Sequence, residues 1–161
     1  IEAQHLFGLK PRQIGVLIHR EAIVHGIVEF SDGNLLALLS RPDMRFAISN
    51  VLSYPHRADG HWGRLDLSEV GRLSFERPPA DAVWLELARE AMAKAGTTLP
   101  VAVNAANEVA VERFLAGRLR FDRILQVVEK VAEHHTPGRC ADLNTVVEAD
   151  AEARRETERF L

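Results

Sequence analysis

The sequence predicts an α+β protein: a small antiparallel sheet, then a polar connector, then a C-terminal four-helix bundle. Three observations predict it. Apolar runs rich in β-branched residues crowd residues 13–39. An Asp32-Gly33-Asn34 turn splits two of these runs, as a tight hairpin requires. Beyond residue 80, apolar residues recur at helical spacing in successive stretches separated by Gly and Pro. These changes of character divide the chain at 1–53, 54–79 and 80–161.

Taken in order, residues 1–7 read as helix with Gly8 as the stop. Ile14-Gly15-Val16-Leu17-Ile18-His19 reads as a first strand, and residues 23–30 as a second. Leu35-Leu36-Ala37-Leu38-Leu39 returns as a third. All three are apolar on both faces, so the sheet is expected to need cover from elsewhere. Further chain or a second copy would supply it, and the isolated chain is expected to self-associate through these strands. Asp43 is placed to cap a short helix over 45–53. Residues 55–71, with Pro55, Gly60 and Gly63, read as a surface connector, and Leu73-Ser74-Phe75-Glu76 as a short strand before Pro78-Pro79.

The bundle follows. One helix spans 82–94 and stops at Gly96. Pro100 suits the first turn of the next, whose stripe is Val103, Ala106, Ala110 and Phe114, ending at Gly117. A third begins at Asp122 with Ile124, Val127, Val128 and Val131 inward, and Thr136-Pro137-Gly138 ends it. The last turns Leu143, Val146, Ala149, Ala153 and Phe160 to the core. Short connections make antiparallel packing the natural arrangement.

Composition narrows the function. Nearly half of the 161 residues are apolar (47%) and 27% are charged, the balance of a globular protein with a core. A net charge of -3 with interspersed signs argues against a nucleic-acid partner, and no apolar run suits a membrane span. The lone Cys140 permits no internal disulfide, which fits the cytoplasm. The chain begins with Ile1 inside an expected helix, which suggests a piece of a longer protein.

Catalytic machinery is sparse. There is no glycine-rich phosphate loop, and none of the seven histidines forms an H-x-x-x-H or H-E-x-x-H pair. His134 and His135 close a helix, where positive charge suits the dipole. His56 and His61 lie in the polar connector, where solvation is expected, and Glu86 and Glu90 are read as solvated helix charges. His25 interrupts an apolar strand. It is either a buried histidine satisfied by a backbone carbonyl or one facing a site completed by other parts of the protein. Asn104 and Asn107, one turn apart in a strong helix, either tie the bundle to a loop or line a site.

Together the segments Val16-Leu17-Ile18-His19, Ile23-Val24-His25, Asp32-Gly33, Arg41-Pro42-Asp43-Met44-Arg45, Tyr54-Pro55-His56-Arg57, Leu73-Ser74-Phe75-Glu76-Arg77-Pro78 and Val103-Asn104-Ala105-Ala106-Asn107-Glu108 resemble, in order and spacing, the deoxyxylulose-phosphate reductoisomerase family. The resemblance implies an NADPH- and Mg- or Mn-dependent homodimeric enzyme of non-mevalonate isoprenoid synthesis. It implies that residues 1–53 are the tail of a catalytic domain and 80–161 the C-terminal helical domain. The cofactor domain and metal ligands would precede Ile1, so this chain alone is expected to bind neither NADPH nor metal and to be inactive. No catalytic residue carries over. His25 in a supporting role, with Pro42 and Met44 as apolar lining, is implied near the substrate pocket. Arg20-Glu21-Ala22 and Val83-Trp84-Leu85 depart from the family pattern. The alternative is a stand-alone dimerisation or interaction module that kept the fold without the chemistry.

Overall fold

A computed structural model describes all of residues 1–161. In chain order it contains α1 (Glu2–Phe7), a 3-10 turn (Pro11–Gln13), β1 (Val24–Glu29), β2 (Leu35–Leu39), α2 (Met44–Ser53), α3 (Leu67–Val70), α4 (Val83–Ala93), α5 (Leu99–Leu115), α6 (Phe121–His134) and α7 (Leu143–Phe160). The chain forms two compact units. One joins Ile1–Gly15 to Ala80–Leu161, and the other is Val16–Pro79.

The helical unit is built around α5. Ala102, Ala105, Ala106 and Ala110 are fully buried along it, and such small side chains let neighbouring helices approach closely. Val128 and Val131 of α6 and Ala153 of α7 fill the space opposite. Gln4 of α1 donates its amide to the Met92 carbonyl near the end of α4 at 3.2 Å. Thr98, before α5, is a buried clasp. Its N–H donates to Gly138 O at 2.8 Å, and its Oγ1 accepts the Gly138 N–H at 2.9 Å. The same hydroxyl lies 2.8 Å from His135 Nε2. These bonds tie the segment after α6 to the start of α5, and Asp142 then caps α7 by accepting from Thr145 N at 2.8 Å.

Two expectations for this unit change. Leu143 is 75% exposed. The buried stripe of α7 is Ala149, Ala153 and Thr157, and at roughly 100° per residue Leu143 stands about 80° from the centre of that stripe, in the first turn of the helix. Thr157 takes a core place because its hydroxyl donates to Ala153 O at 2.6 Å, which satisfies it internally. Asn104 does not tie the bundle to a loop either: it is exposed and donates to Glu108 on the same helix at 3.0 Å.

In the other unit the sheet has two strands, not three. β1 and β2 pair antiparallel from Val24–Leu39 to Glu29–Leu35. The Asp32-Gly33 turn closes them, with Gly33 at φ 84 and Asp32 accepting the Asn34 N–H at 3.0 Å. Residues 14–19 make only one bridge, Ile18 with Glu76. That bridge is also all that remains of the strand expected around Leu73. An apolar run records that a segment will be buried or paired, but pairing needs a partner over its whole length, and here one exists at a single residue. Both faces of the β1–β2 ribbon are largely open, with Val28, Leu35, Leu36 and Leu38 all more than half exposed.

Candidate functional site

The site built around His25 begins with an irregularity in the ribbon. Val24 pairs with Leu39, and the next pair is Gly26 with Leu38, so His25 is an extra residue in a β-bulge. Bulges re-aim side chains and recur beside active sites. The alternation that would set His25 on one face with Ile23 and Ile27 is broken here: Ile23 is buried, whereas His25 and Ile27 are exposed. The reading of His25 as a buried core histidine is therefore corrected. Its Nε2 lies 2.9 Å from Ser40 Oγ and 3.3 Å from Ser40 O, which brings it to the chain leaving β2.

That chain carries Pro42 and Met44. Ser40 N–H donates to Ile23 O at 3.1 Å, so the start of this segment is pinned to the ribbon next to the bulge. Three residues on, Asp43 caps α2 by accepting from Arg45 N at 2.9 Å, and the Arg45 guanidinium grips the same carboxylate through Nε and Nη2. These hydrogen bonds from Arg45 hold the Asp43 carboxyl well below the usual range, at about 2. The lock fixes Pro42 and Met44 on either side of Asp43, and both are exposed, Met44 at 73%. Arg45 also lies over the Trp62 ring at 5.8 Å, and Phe46 meets the same ring edge-on at 5.7 Å. A groove of about 310 Å³ runs between α2 and the Trp62 loop, lined by Arg45, Ile48, Ser49, Leu52 and Trp62.

A second cluster went unnoticed in the sequence. His19 has a nearly buried side chain stacked on Phe75 at 4.6 Å. Its Nε2 accepts the Ile23 N–H at 3.2 Å, so the ring proton sits on Nδ1 and is donated to Ser74 O at 2.8 Å. Glu21 accepts from Ser74 N at 3.1 Å and from Ser74 Oγ at 2.6 Å. The Ser74 hydroxyl above all holds the Glu21 carboxyl below its ordinary value. The Glu21 turn is one of the departures from the family pattern, and it includes Ala22 at φ 51. The knot joins the approach to β1 with residues 74–76. Its one signal in the sequence was a histidine ending an apolar run.

The other histidines are quiet. His56 and His61 are exposed, and His134 Nδ1 donates to Lys130 O at 2.8 Å. Glu86 pairs with Arg89, and Glu90 with Lys94, on the surface of α4. No three His, Cys, Asp or Glu side chains lie together in a way that could hold a metal ion. The residues of this chain therefore do not by themselves fit a metal centre. No helix is long and apolar enough to cross a membrane.

Comparison with known proteins agrees with this arrangement. The family model described as the DXP reductoisomerase C-terminal domain matches residues 39–156. A 1-deoxy-D-xylulose 5-phosphate reductoisomerase of Xanthomonas campestris is 48% identical over all of this chain and 41% of its own length. One from Symbiobacterium thermophilum is 46% identical over 96% of this chain and 40% of its own. Among solved structures, the reductoisomerase of Zymomonas mobilis in complex with NADPH superposes with a TM-score of 0.89 at 36% identity, covering 99% of this chain and 42% of that one. A DOX-P reductoisomerase in complex with NADPH, fosmidomycin and magnesium gives a TM-score of 0.91 at 36% identity, over 98% of this chain and 41% of that one. The chain thus spans about two fifths of the length of the relatives it matches. Within that span, the ribbon, the capped α2 and the α5-centred helical unit belong to the DXP reductoisomerase family.

Proposed function

We propose that this chain is the C-terminal part of an NADPH- and divalent-metal-dependent reductoisomerase that converts 1-deoxy-D-xylulose 5-phosphate to 2-C-methyl-D-erythritol 4-phosphate, in the cytoplasm. The observation that carries the reading is the extent of the likeness. It runs over the whole chain at 48% identity in the Xanthomonas relative, and a neighbour of similar fold was solved with NADPH, fosmidomycin and magnesium. Residues 1–53 then finish the catalytic domain, 54–79 connect, and 80–161 form the C-terminal helical domain. NADPH and the metal are held by segments outside this chain, which by itself is inactive. They supply the hydride and the polarisation of substrate oxygens.

In this reading the chain's own residues shape the pocket. The bulge aims His25 at the substrate in a supporting role, and Pro42 and Met44, held by the Asp43–Arg45 lock, provide an apolar wall that excludes water. The partners are the remaining domains of the parent enzyme and a second copy of it. The open β1–β2 ribbon supports a partner of either kind, because soluble proteins rarely leave so much contiguous apolar surface bare.

Two measurements test this. An antibody to the chain, applied to a lysate of source cells, is expected to reveal a polypeptide more than twice as heavy as the chain. That polypeptide, purified, is expected to consume NADPH when given the substrate and Mg, while the 161-residue chain does not. A native band matching the chain would defeat the enzyme reading and favour an interaction module. By light scattering, the isolated chain is expected to self-associate at high concentration, and Leu36→Lys is expected to return it to monomer.

A further inference from the structure

Residue 40 reaches His25 from a fixed anchor, the 3.1 Å bond of its N–H to Ile23 O just beyond the Val24–Leu39 pair. Both its hydroxyl and its carbonyl oxygen lie against one imidazole nitrogen. His25 Nε2 lies 2.9 Å from Ser40 Oγ and 3.3 Å from Ser40 O, and Ser40 Oγ donates to Arg41 O at 3.0 Å.

A carbonyl oxygen can only accept, and a hydroxyl carries one proton. A single assignment of protons satisfies every contact: Nε2–H donates to the two Ser40 oxygens, while the Ser40 O–H donates to Arg41 O. The opposite tautomer would set the Nε2 lone pair against the Ser40 carbonyl oxygen. If the hydroxyl turned to relieve it, Arg41 O would lose its donor. The ring's other nitrogen, Nδ1, is then left without a proton on an exposed residue of the bulge.

We propose that Ser40 is a positioning residue: it holds His25 as the Nε2–H tautomer, so that Nδ1 is offered as an acceptor to a hydroxyl of the sugar-phosphate substrate. This rests on the reductoisomerase reading for the identity of the ligand, and on the ribbon alone for the tautomer. Neither residue makes or breaks a bond. Ser40 acts through the ring, and the ring orients a hydroxyl. No family motif pointed to Ser40, which lies one residue before the matched Arg41-Pro42-Asp43-Met44 segment.

The test separates these two supports. Side-chain ¹⁵N–¹H correlation spectra of the chain, with histidine labelled, read the tautomer directly at a pH where the ring is neutral. His25 is expected to show a protonated Nε2 and a bare Nδ1. In Ser40→Ala the ratio of Nε2–H to Nδ1–H is expected to fall roughly two- to tenfold, the worth of one ordinary hydrogen bond, and Ser40→Thr is expected to restore it. A bare Nε2 in the unsubstituted chain, or an unmoved ratio in Ser40→Ala, overturns the proposal.

In the full-length protein, Ser40→Ala is expected to lower kcat/KM by a similar factor, with Ser40→Thr close to the parent. A normal kcat/KM in Ser40→Ala would overturn the substrate-facing part. An inactive unsubstituted protein would instead overturn the reading of function, and the spectra would still decide whether Ser40 sets the tautomer.

Discussion

The two units of the chain place their apolar residues in opposite ways. In the helical unit the stripes of α5, α6 and α7 close on one another, and Leu99, Ala102, Ala106, Val131 and Ala153 are all at most 2% exposed. Between Val16 and Pro79 only Ile23 is buried, although the sequence there is no less apolar in its strands. The contrast teaches that one unit is closed by contacts within the chain, whereas the other is shaped by hydrogen bonds and left open. Its order comes from the hairpin ladder, the His19 knot and the Asp43–Arg45 lock, which are polar devices that hold a backbone without a core. An element held in this way can display side chains such as His25, Pro42 and Met44 instead of burying them.

The sharpest way to break this comparison is to make the same substitution in each unit. Leu99→Ala removes a side chain that is 1% exposed and is expected to cost about 2–5 kcal/mol in chemical denaturation. Leu36→Ala on the ribbon, at 62% exposed, is expected to change the stability of dilute, monomeric chain by about 0.5 kcal/mol or less. Equal losses at the two positions would mean that the ribbon is packed in solution and that the contrast is wrong.

How far the sequence foretold each unit follows the same division. Helices announce themselves locally. Asp43 as a cap, Pro100 in a first turn, and the Val127-Val128-Val131 stripe are short-range signals that the structure repeats. Strands depend on partners far away in the chain, so residues 14–19 looked like a strand and pair only at Ile18. The bulge at His25 was invisible for a related reason: a register shift belongs to two strands jointly, and no residue type marks it without its partner. Ser40 therefore gave no sign of its contact with His25. Thr157 hid differently, as a polar residue in the core whose hydroxyl is satisfied by its own helix.

An intermediate effect is expected at the His19 knot. His19→Ala leaves the Ile23 N–H and the Ser74 carbonyl without their partner, which costs about 1–3 kcal/mol for groups removed from water. The loss should be local. Amide hydrogen exchange is expected to quicken at Ile23 and Ile18 while the α5 and α6 amides keep their protection. Uniform quickening across both units would show that they unfold together, and the polar devices would then be part of one cooperative structure.

The smallest effect concerns Asp43, and it sharpens the comparison by using pH instead of truncation. The hydrogen bonds from Arg45 lower its carboxyl from 3.8 to about 2. For a group whose folded pKa is depressed, the stabilisation is complete above the unfolded value and is lost as pH falls through the folded one. The Asp43–Arg45 lock should therefore be intact at pH 5 and weaken progressively between about pH 4 and pH 2. Chemical shifts of Pro42, Met44 and the first turn of α2, followed through this window, are expected to move together. Asp43→Asn should already show the low-pH shifts at pH 5. The core of α5 should stay unchanged until other carboxylates protonate, because its buried residues are alanines, Leu99 and Val109, none of which titrates. If Met44 does not move while α2 remains folded, the lock is not what holds Pro42 and Met44 in place. The fixed geometry of Pro42 and Met44 would then have to come from the proline ring and the helix cap alone.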